Sequence, residues 1–200
     1  MPRLLAALAV LLAAPASAQS TLSPSSFALG ASGTYAGAVR APQGNLGDLR
    51  AAGFSVDGTY DRVTVSVGAA FARYTSALDA AVGVHVGRNP DRLLTTTLGI
   101  SLSALEDGVT VYTPSISHAR RIYGRPGVDV VPGLAVGLGV VTQESRSSRQ
   151  VQPLVSASVG LVLGRGPIRA VVAPSATLSS GTEVVSLGVS AGVTRGLGGR

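Results

Sequence analysis

The sequence contains no cysteine, tryptophan or lysine, and it is poor in aromatic and charged residues. The absence of cysteine excludes a disulfide scaffold and a thiolate-ligated metal site. Charged residues make up 13% of the 200 residues, about half of the ~25% found in typical soluble domains. Because hydrophobic residues make up 46%, the composition also excludes a disordered chain, and the spacing of the apolar residues has to decide the fold class.

The N-terminus has the features of an export signal. Arg3 precedes an apolar run over 4–14, which is shorter than the ~20 residues of a membrane-spanning helix, and Ala16-Ser17-Ala18 follows with small residues. We therefore predict a signal peptide over 1–18 and a single mature domain over 19–200. An uncleaved N-terminal anchor is the alternative.

The rest of the chain has no long hydrophobic run. Its longest uncharged apolar stretch, 130–141, is interrupted by Pro132 and three glycines, so it cannot form a transmembrane helix. Apolar and small polar residues instead alternate with a period of two, most clearly over 151–164 and 185–194. This period is typical of β-strands, and the abundance of glycine and β-branched residues disfavours helices.

Turn signals divide this pattern into ten candidate strands. They cover about 26–39, 50–60, 62–74, 79–88, 93–105, 109–118, 128–142, 151–164, 167–179 and 182–195. Most connections are short, which predicts an antiparallel meander of consecutive hairpins. The longer ones are expected at 40–49, 119–127 and 143–149.

The polar face of these strands indicates what surrounds the sheet. It consists of glycine, serine, threonine and alanine, whereas a water-facing sheet normally carries many charged residues. The predicted strands are also long enough to cross a tilted bilayer. We therefore predict an all-β, antiparallel up-and-down transmembrane β-barrel of about ten strands, with eight as the alternative. A soluble all-β domain, secreted or periplasmic, is the competing fold.

Over the whole mature chain, this pattern resembles the small bacterial outer-membrane β-barrel proteins, the porin-like group. The resemblance implies a location in the outer membrane, lipid and glycolipid as surroundings, and insertion by the barrel assembly machinery. Such barrels usually carry aromatic girdles at both interfaces. Here the aromatic residues are few, and none follows Tyr123.

Few residues are candidates for a functional site. Charged or titratable residues expected on the lumen face are Asp57, Arg62, His85, Asp129 and Arg169. In the predicted 143–149 loop, Arg146 and Arg149 are candidates for contact with anionic glycolipid phosphates. We predict no metal, no cofactor and no nucleic-acid partner, since the chain has only two histidines and no aromatic and basic face.

One sequence motif invites comparison with an enzyme. The segment around His118 resembles the His-x-Ser-Asn motif of outer-membrane lipid A deacylases, but Arg120 and Arg121 occupy the places of serine and asparagine. A lipid-modifying hydrolase is therefore a minor alternative. The main expectation is a barrel without catalytic activity, either a passive pore or a structural or interaction barrel, closed by side-chain packing, that acts through its loops.

Overall fold

The computed structural model describes residues 25–38, 49–72, 75–89, 94–105, 108–143, 146–165, 168–179 and 184–196. Within these ranges no helix is long and apolar enough to cross a membrane. The strands are β1 Ser25–Ala38, β2 Leu49–Tyr60, β3 Val63–Ala72, β4 Thr75–Asn89, β5 Leu94–Leu105, β6 Val109–Ala119, β7 Tyr123–Arg125, β8 Val128–Gln143, β9 Arg146–Leu163, β10 Ile168–Ser179 and β11 Val184–Gly196.

Ten of these strands form a closed ring. Each pairs antiparallel with its neighbours along the chain, β6 pairs with β8, and the first strand, β1, pairs with the last, β11. The short strand β7 is added to the edge of β8. The predicted all-β, up-and-down barrel of about ten strands is confirmed.

The ring has two distinct ends. At the terminal end, β1 begins, β11 ends, and the connections at 61–62, 90–93, 126–127 and 164–167 join the strands. At the loop end lie the connections at 39–48, 73–74, 106–108, 144–145 and 180–183. The predicted signal peptide lies outside the described residues.

Two strands begin earlier than their periodicity predicts. Strand β4 begins at Thr75 rather than at 79, and β9 begins at Arg146 rather than at 151. The prediction that Arg146 and Arg149 lie in a loop is therefore wrong, because both belong to β9 and pair with β8 across a register shift. Polar residues such as these end the apolar alternation before the backbone pairing itself ends.

The expected long connection at 119–127 is largely paired. Backbone amides of Arg120 and Ile122 donate to carbonyls of β8, and β7 continues this pairing as far as Val128. The remaining turn is Pro126-Gly127, with Gly127 at φ +90°. Proline followed by a residue of positive φ is the signature of a type II turn. The segment therefore forms a hairpin that extends β6 and β8 at the terminal end.

Side chains alternate between the two faces of the barrel wall. In β3, Val63, Val65 and Val67 are exposed on the outer face, while Thr64 and Ser66 are buried on the inner face. Strands β4, β5, β8 and β9 repeat this pattern with outward valine, leucine and isoleucine. Soluble monomers rarely expose contiguous apolar patches above ~600 Å², whereas here the apolar surface follows the ring from strand to strand.

Glycines on the inner face allow a close approach between neighbouring strands. A Cβ atom added at Gly68 would lie 2.8 Å from the carbonyl oxygen of Phe54 in the adjacent strand, whereas one added at Gly58 would meet nothing within 4 Å. We expect Gly68→Ala to lower the free energy of unfolding by about 1–3 kcal/mol, as overpacking typically does. Urea unfolding in lipid vesicles measures this difference.

The control for this substitution is Gly58→Ala. It adds the same methyl group on the outer face of β2, between the inner-face residues Asp57 and Thr59, where there is space. It also removes a flexible residue from a strand. We expect its stability to remain within about 0.5 kcal/mol of the original or to rise slightly. Equal losses of stability for the two variants would show that the close contact at Gly68 is not the cause of the loss in Gly68→Ala.

Candidate functional site

Near the terminal end, the inner face carries four buried apolar side chains, which we call the valine layer: Ala119, Val131, Val162 and Val171. Their exposed fractions are 7%, 1%, 2% and 1%, respectively. They come from β6, β8, β9 and β10, which are consecutive around the ring. The four side chains therefore pack side by side along one part of the barrel wall.

A second apolar group occupies the inner face towards the loop end. Its members include Leu105, Val109, Val111, Val141 and Leu154, all of them buried. Between the two groups, the inner face carries half-buried small residues such as Ser115, Ser117, Ala135 and Gly137. Along β6, β8 and β9, the described inner face is therefore most tightly packed towards the two ends and least tightly packed in the middle.

A chain of hydrogen bonds centred on His85 crosses four strands of the inner face. The His85 Nε2 atom lies 2.9 Å from Thr64 Oγ1, and its Nδ1 atom lies 2.7 Å from Thr97 Oγ1. Thr64 Oγ1 lies 3.1 Å from Thr59 Oγ1. The expected lumen position of His85 agrees with its exposure of 1%. Because both ring nitrogens have hydroxyl partners, the imidazole is held in one orientation.

Two carboxylates also face the lumen. Asp57, which the sequence predicts there, is 3% exposed, and its Oδ2 atom accepts a 3.3 Å hydrogen bond from Ser55. Asp79 is the other, and the sequence prediction missed it because β4 was expected to begin only at this residue. The Oδ1 atoms of both are buried without a hydrogen-bond partner among the described residues.

Beyond the valine layer lies a cavity of about 580 Å³, which we call the vestibule. Its lining includes Arg121, Arg125, Arg165, Arg169 and Asp129. Arg121, Asp129 and Arg169 each lie two residues along their strand from a member of the valine layer. Since side chains two apart on a strand share a face, these three lie on the inner face and continue the lumen wall.

Ion pairs join the charged residues of the vestibule. Asp129 Oδ1 lies 3.3 Å from Arg121 NH1, and Asp129 Oδ2 lies 3.8 Å from Arg169 NH1. The structure thus brings together two residues expected in the lumen, Asp129 and Arg169, and adds Arg121, which the sequence prediction did not include. Asp129 is 15% exposed at its side chain, so its charge is only partly hydrated.

Two further arginines complete the rim of the vestibule. Arg165 NH2 donates a 3.3 Å hydrogen bond to the carbonyl of Pro126 and so links the β9–β10 connection to the extended hairpin. The guanidinium carbon of Arg125 lies 5.7 Å from the centre of the Tyr123 ring, which is within the range of a cation–π contact.

The remaining candidates lie outside the lumen. Arg62 was expected on the inner face, but it occupies the two-residue turn between β2 and β3 and is exposed. The expectation is wrong because the alternation of β3 begins only at Val63. Arg149 is exposed near the loop end of β9.

His118 lies on the outer face of β6. It is exposed, and its Nδ1 atom lies 2.9 Å from Thr96 Oγ1. Ser115 and Ser117 belong to the inner face of the same strand, because side chains an odd number of residues apart point to opposite sides. Neither serine can therefore form a nucleophile–base pair with His118. Among the described residues there is also no group of three or more side chains able to ligate a metal.

A closed antiparallel ring with an apolar outer face and a small, mostly polar inner face is the architecture of a transmembrane β-barrel. Comparison with protein-family models found no match, and comparison with curated proteins found no significant one.

Solved structures similar to this chain are bacterial barrel proteins. The match to Neisserial surface protein A has 11% sequence identity and a TM-score of 0.45, and it covers 88% of this chain and 98% of that protein's chain. The match to LpxR from Salmonella typhimurium has 9% sequence identity and a TM-score of 0.45, and it covers 86% of this chain and 100% of that protein's chain. Ail of Yersinia pestis, solved with the heparin analogue sucrose octasulfate, shares 13% with a TM-score of 0.35, covering 86% and 96%. We transfer no residue role from these proteins.

Proposed function

We propose that this chain is an outer-membrane β-barrel with a closed lumen, a structural or interaction protein without catalytic activity. The observation that carries the proposal is the packing of the lumen. Val131 and Val171 near the terminal end and Val111 towards the loop end are each only 1% exposed. A water-filled channel requires polar side chains that water can reach along its whole length.

The outer face supports the membrane location. On the described strands, the exposed residues of the outer face near the middle of the wall are apolar. The charged residue Arg195 lies at the end of β11. Aromatic side chains lie towards both ends, with Tyr60 and Tyr123 at the terminal end and Phe71 towards the loop end. Aromatic residues favour the membrane interface because their rings are apolar and their polar groups remain hydrated.

Electrical recording tests the closed lumen. We expect the purified mature barrel to give no discrete conductance steps in planar lipid bilayers. Heat-modifiable mobility on a gel is the accompanying control, because it shows that the protein added to the bilayer is a folded barrel. Reproducible steps from folded protein would overturn the closed lumen and assign the chain as a passive pore, which the half-buried serines and glycines of the middle lumen would then line.

Cell fractionation tests the location. We propose export through the signal peptide at 1–18 and insertion by the barrel assembly machinery, with lipid around the wall and with Arg149 near the glycolipid of the outer leaflet. This orientation follows from the start of β1 and the end of β11 lying at one end of the barrel, which in such proteins faces the periplasm. Recovery of the protein in the aqueous fraction without detergent would instead support a soluble all-β binding domain.

A further inference from the structure

The vestibule has an excess of positive charge. Its lining carries four arginines, Arg121, Arg125, Arg165 and Arg169, and one aspartate, so the net formal charge is 4 − 1 = +3. The side chains of Arg121 and Arg169 are 34% and 32% exposed. Guanidinium groups are weakly hydrated and present several donors in a plane that matches an oxyanion. The charge is thus held at positions that a solute can reach.

On the lumen side, apolar side chains border the vestibule. Val131 and Val171 of the valine layer are two residues from Asp129 and Arg169 on the same faces of β8 and β10. A charged solute that enters the vestibule therefore meets the arginines of its lining, whereas moving on against the neighbouring valines would cost it hydration.

Most of the charge of the vestibule continues the lumen. Arg121, Asp129 and Arg169 lie on the inner side of the wall, whereas Arg125 pairs with the outward-facing Val128 and lies beside Tyr123 at the outer rim. The acyl chains of a membrane lipid contact the outer face. A soluble ligand suits this position better than a lipid headgroup, because the lipid would have to leave its leaflet. The volume of about 580 Å³ is large enough for a small ligand with several charged groups.

We propose that the vestibule binds a soluble, multiply charged oxyanion, carrying phosphate or carboxylate groups, from the aqueous side of the terminal end. Asp129 holds Arg121 and Arg169 in place, while Arg165 and Arg125, which contact a carbonyl and a tyrosine ring, supply further positive charge. The binding is terminal: the ligand docks at the barrel end and does not pass through it.

Titration calorimetry of the folded, full mature chain in detergent tests this proposal. The probes are inorganic tripolyphosphate and citrate, at low and at moderate salt concentration. We expect saturable binding of at least one probe, with affinity that falls as salt screens the arginines. Whichever probe binds more tightly identifies phosphate or carboxylate as the preferred group. Lack of saturable binding by both would overturn the proposal.

Variants separate a built site from general positive charge. Arg165→Gln removes one vestibule charge and leaves both ion pairs of Asp129 intact, and we expect it to weaken binding about tenfold. Arg195→Gln is the matched control, because Arg195 is an exposed arginine at the same end on the outer face of β11. We expect its affinity to stay within about twofold of the original. Equal weakening by the two variants would overturn the site.

Heat-modifiable mobility is measured for each variant before titration. A folded barrel that binds neither probe contradicts the vestibule proposal alone. A chain that shows no heat-modifiable species and partitions into water contradicts the membrane barrel itself.

Discussion

An arginine in place of Val136 is expected to lower the free energy of unfolding in phospholipid vesicles by about 2–4 kcal/mol. Val136 lies near the middle of β8, is 47% exposed on the outer face, and is flanked across the sheet by Ile116 and Val155. In a bilayer this position faces hydrocarbon, so the guanidinium loses its hydration. Equilibrium unfolding in urea, followed by tryptic protection or fluorescence of an attached probe, measures the loss.

The same substitution at Val128 is the matched control. Val128 begins β8 at the terminal end and is 38% exposed, so an arginine there can reach the interface. We expect a loss of about 0–1 kcal/mol. In a water-soluble barrel both positions would be ordinary surface sites, where substitutions change stability by no more than about 0.5 kcal/mol. Equal stability of the two variants would therefore contradict the membrane-facing assignment of this wall.

Replacement of His85 by leucine is expected to cost about 2–4 kcal/mol of stability. The substitution removes the ring-nitrogen partner of half-buried Thr97 and one of the two partners of buried Thr64, which keeps Thr59. An unsatisfied hydroxyl in such a place carries a penalty of about 1–3 kcal/mol, and a leucine does not reproduce the shape of the imidazole. Urea unfolding in vesicles measures the difference. His118→Leu is the control, since that histidine is exposed on the outer face, and we expect it to change stability by less than about 0.5 kcal/mol.

A triple variant distinguishes lost hydrogen bonding from lost packing. Combining His85→Leu with Thr64→Val and Thr97→Val replaces the polar partners by apolar groups of similar shape. Such a replacement is often close to neutral, but it leaves buried Thr59 without the hydroxyl of Thr64, so we expect the triple variant to regain part of the stability that His85→Leu loses. If it is instead less stable than His85→Leu, the space filled by the imidazole matters more than its hydrogen bonds.

The barrel and its two faces could be predicted from the sequence because a period of two is a local property. The alternation over 151–164 assigns Val155 and Val159 to the outer face and Ser156 and Ser158 to the inner one, as the structure has them. His85 was predicted to face the lumen for the same reason. No comparable local signal marks the ends of strands. For this reason the sequence prediction placed Arg62 on the lumen face, although it lies in a turn, and Arg149 in a loop, although it belongs to β9.

The contacts between strands could not be predicted in this way. The ion pairs of Asp129 depend on the hairpin pairing of Tyr123–Arg125 with β8 and on the register between β8, β9 and β10. Arg120 and Arg121 looked like part of a connection because polar residues interrupt the alternation there. The turn signal that ends the hairpin, Pro126-Gly127, was present in the sequence and would have shortened the predicted connection.

Pairing between β1 and β11 means that the sheet has no free edge once the chain is complete. Until that pairing forms, both strands present unpaired backbone donors and acceptors, which is a template for aggregation. The closing contact joins residues from opposite ends of the mature chain, and contacts of such high sequence separation form slowly. Loss of β11 would therefore remove its pairing with both β1 and β10 and create two open edges at once.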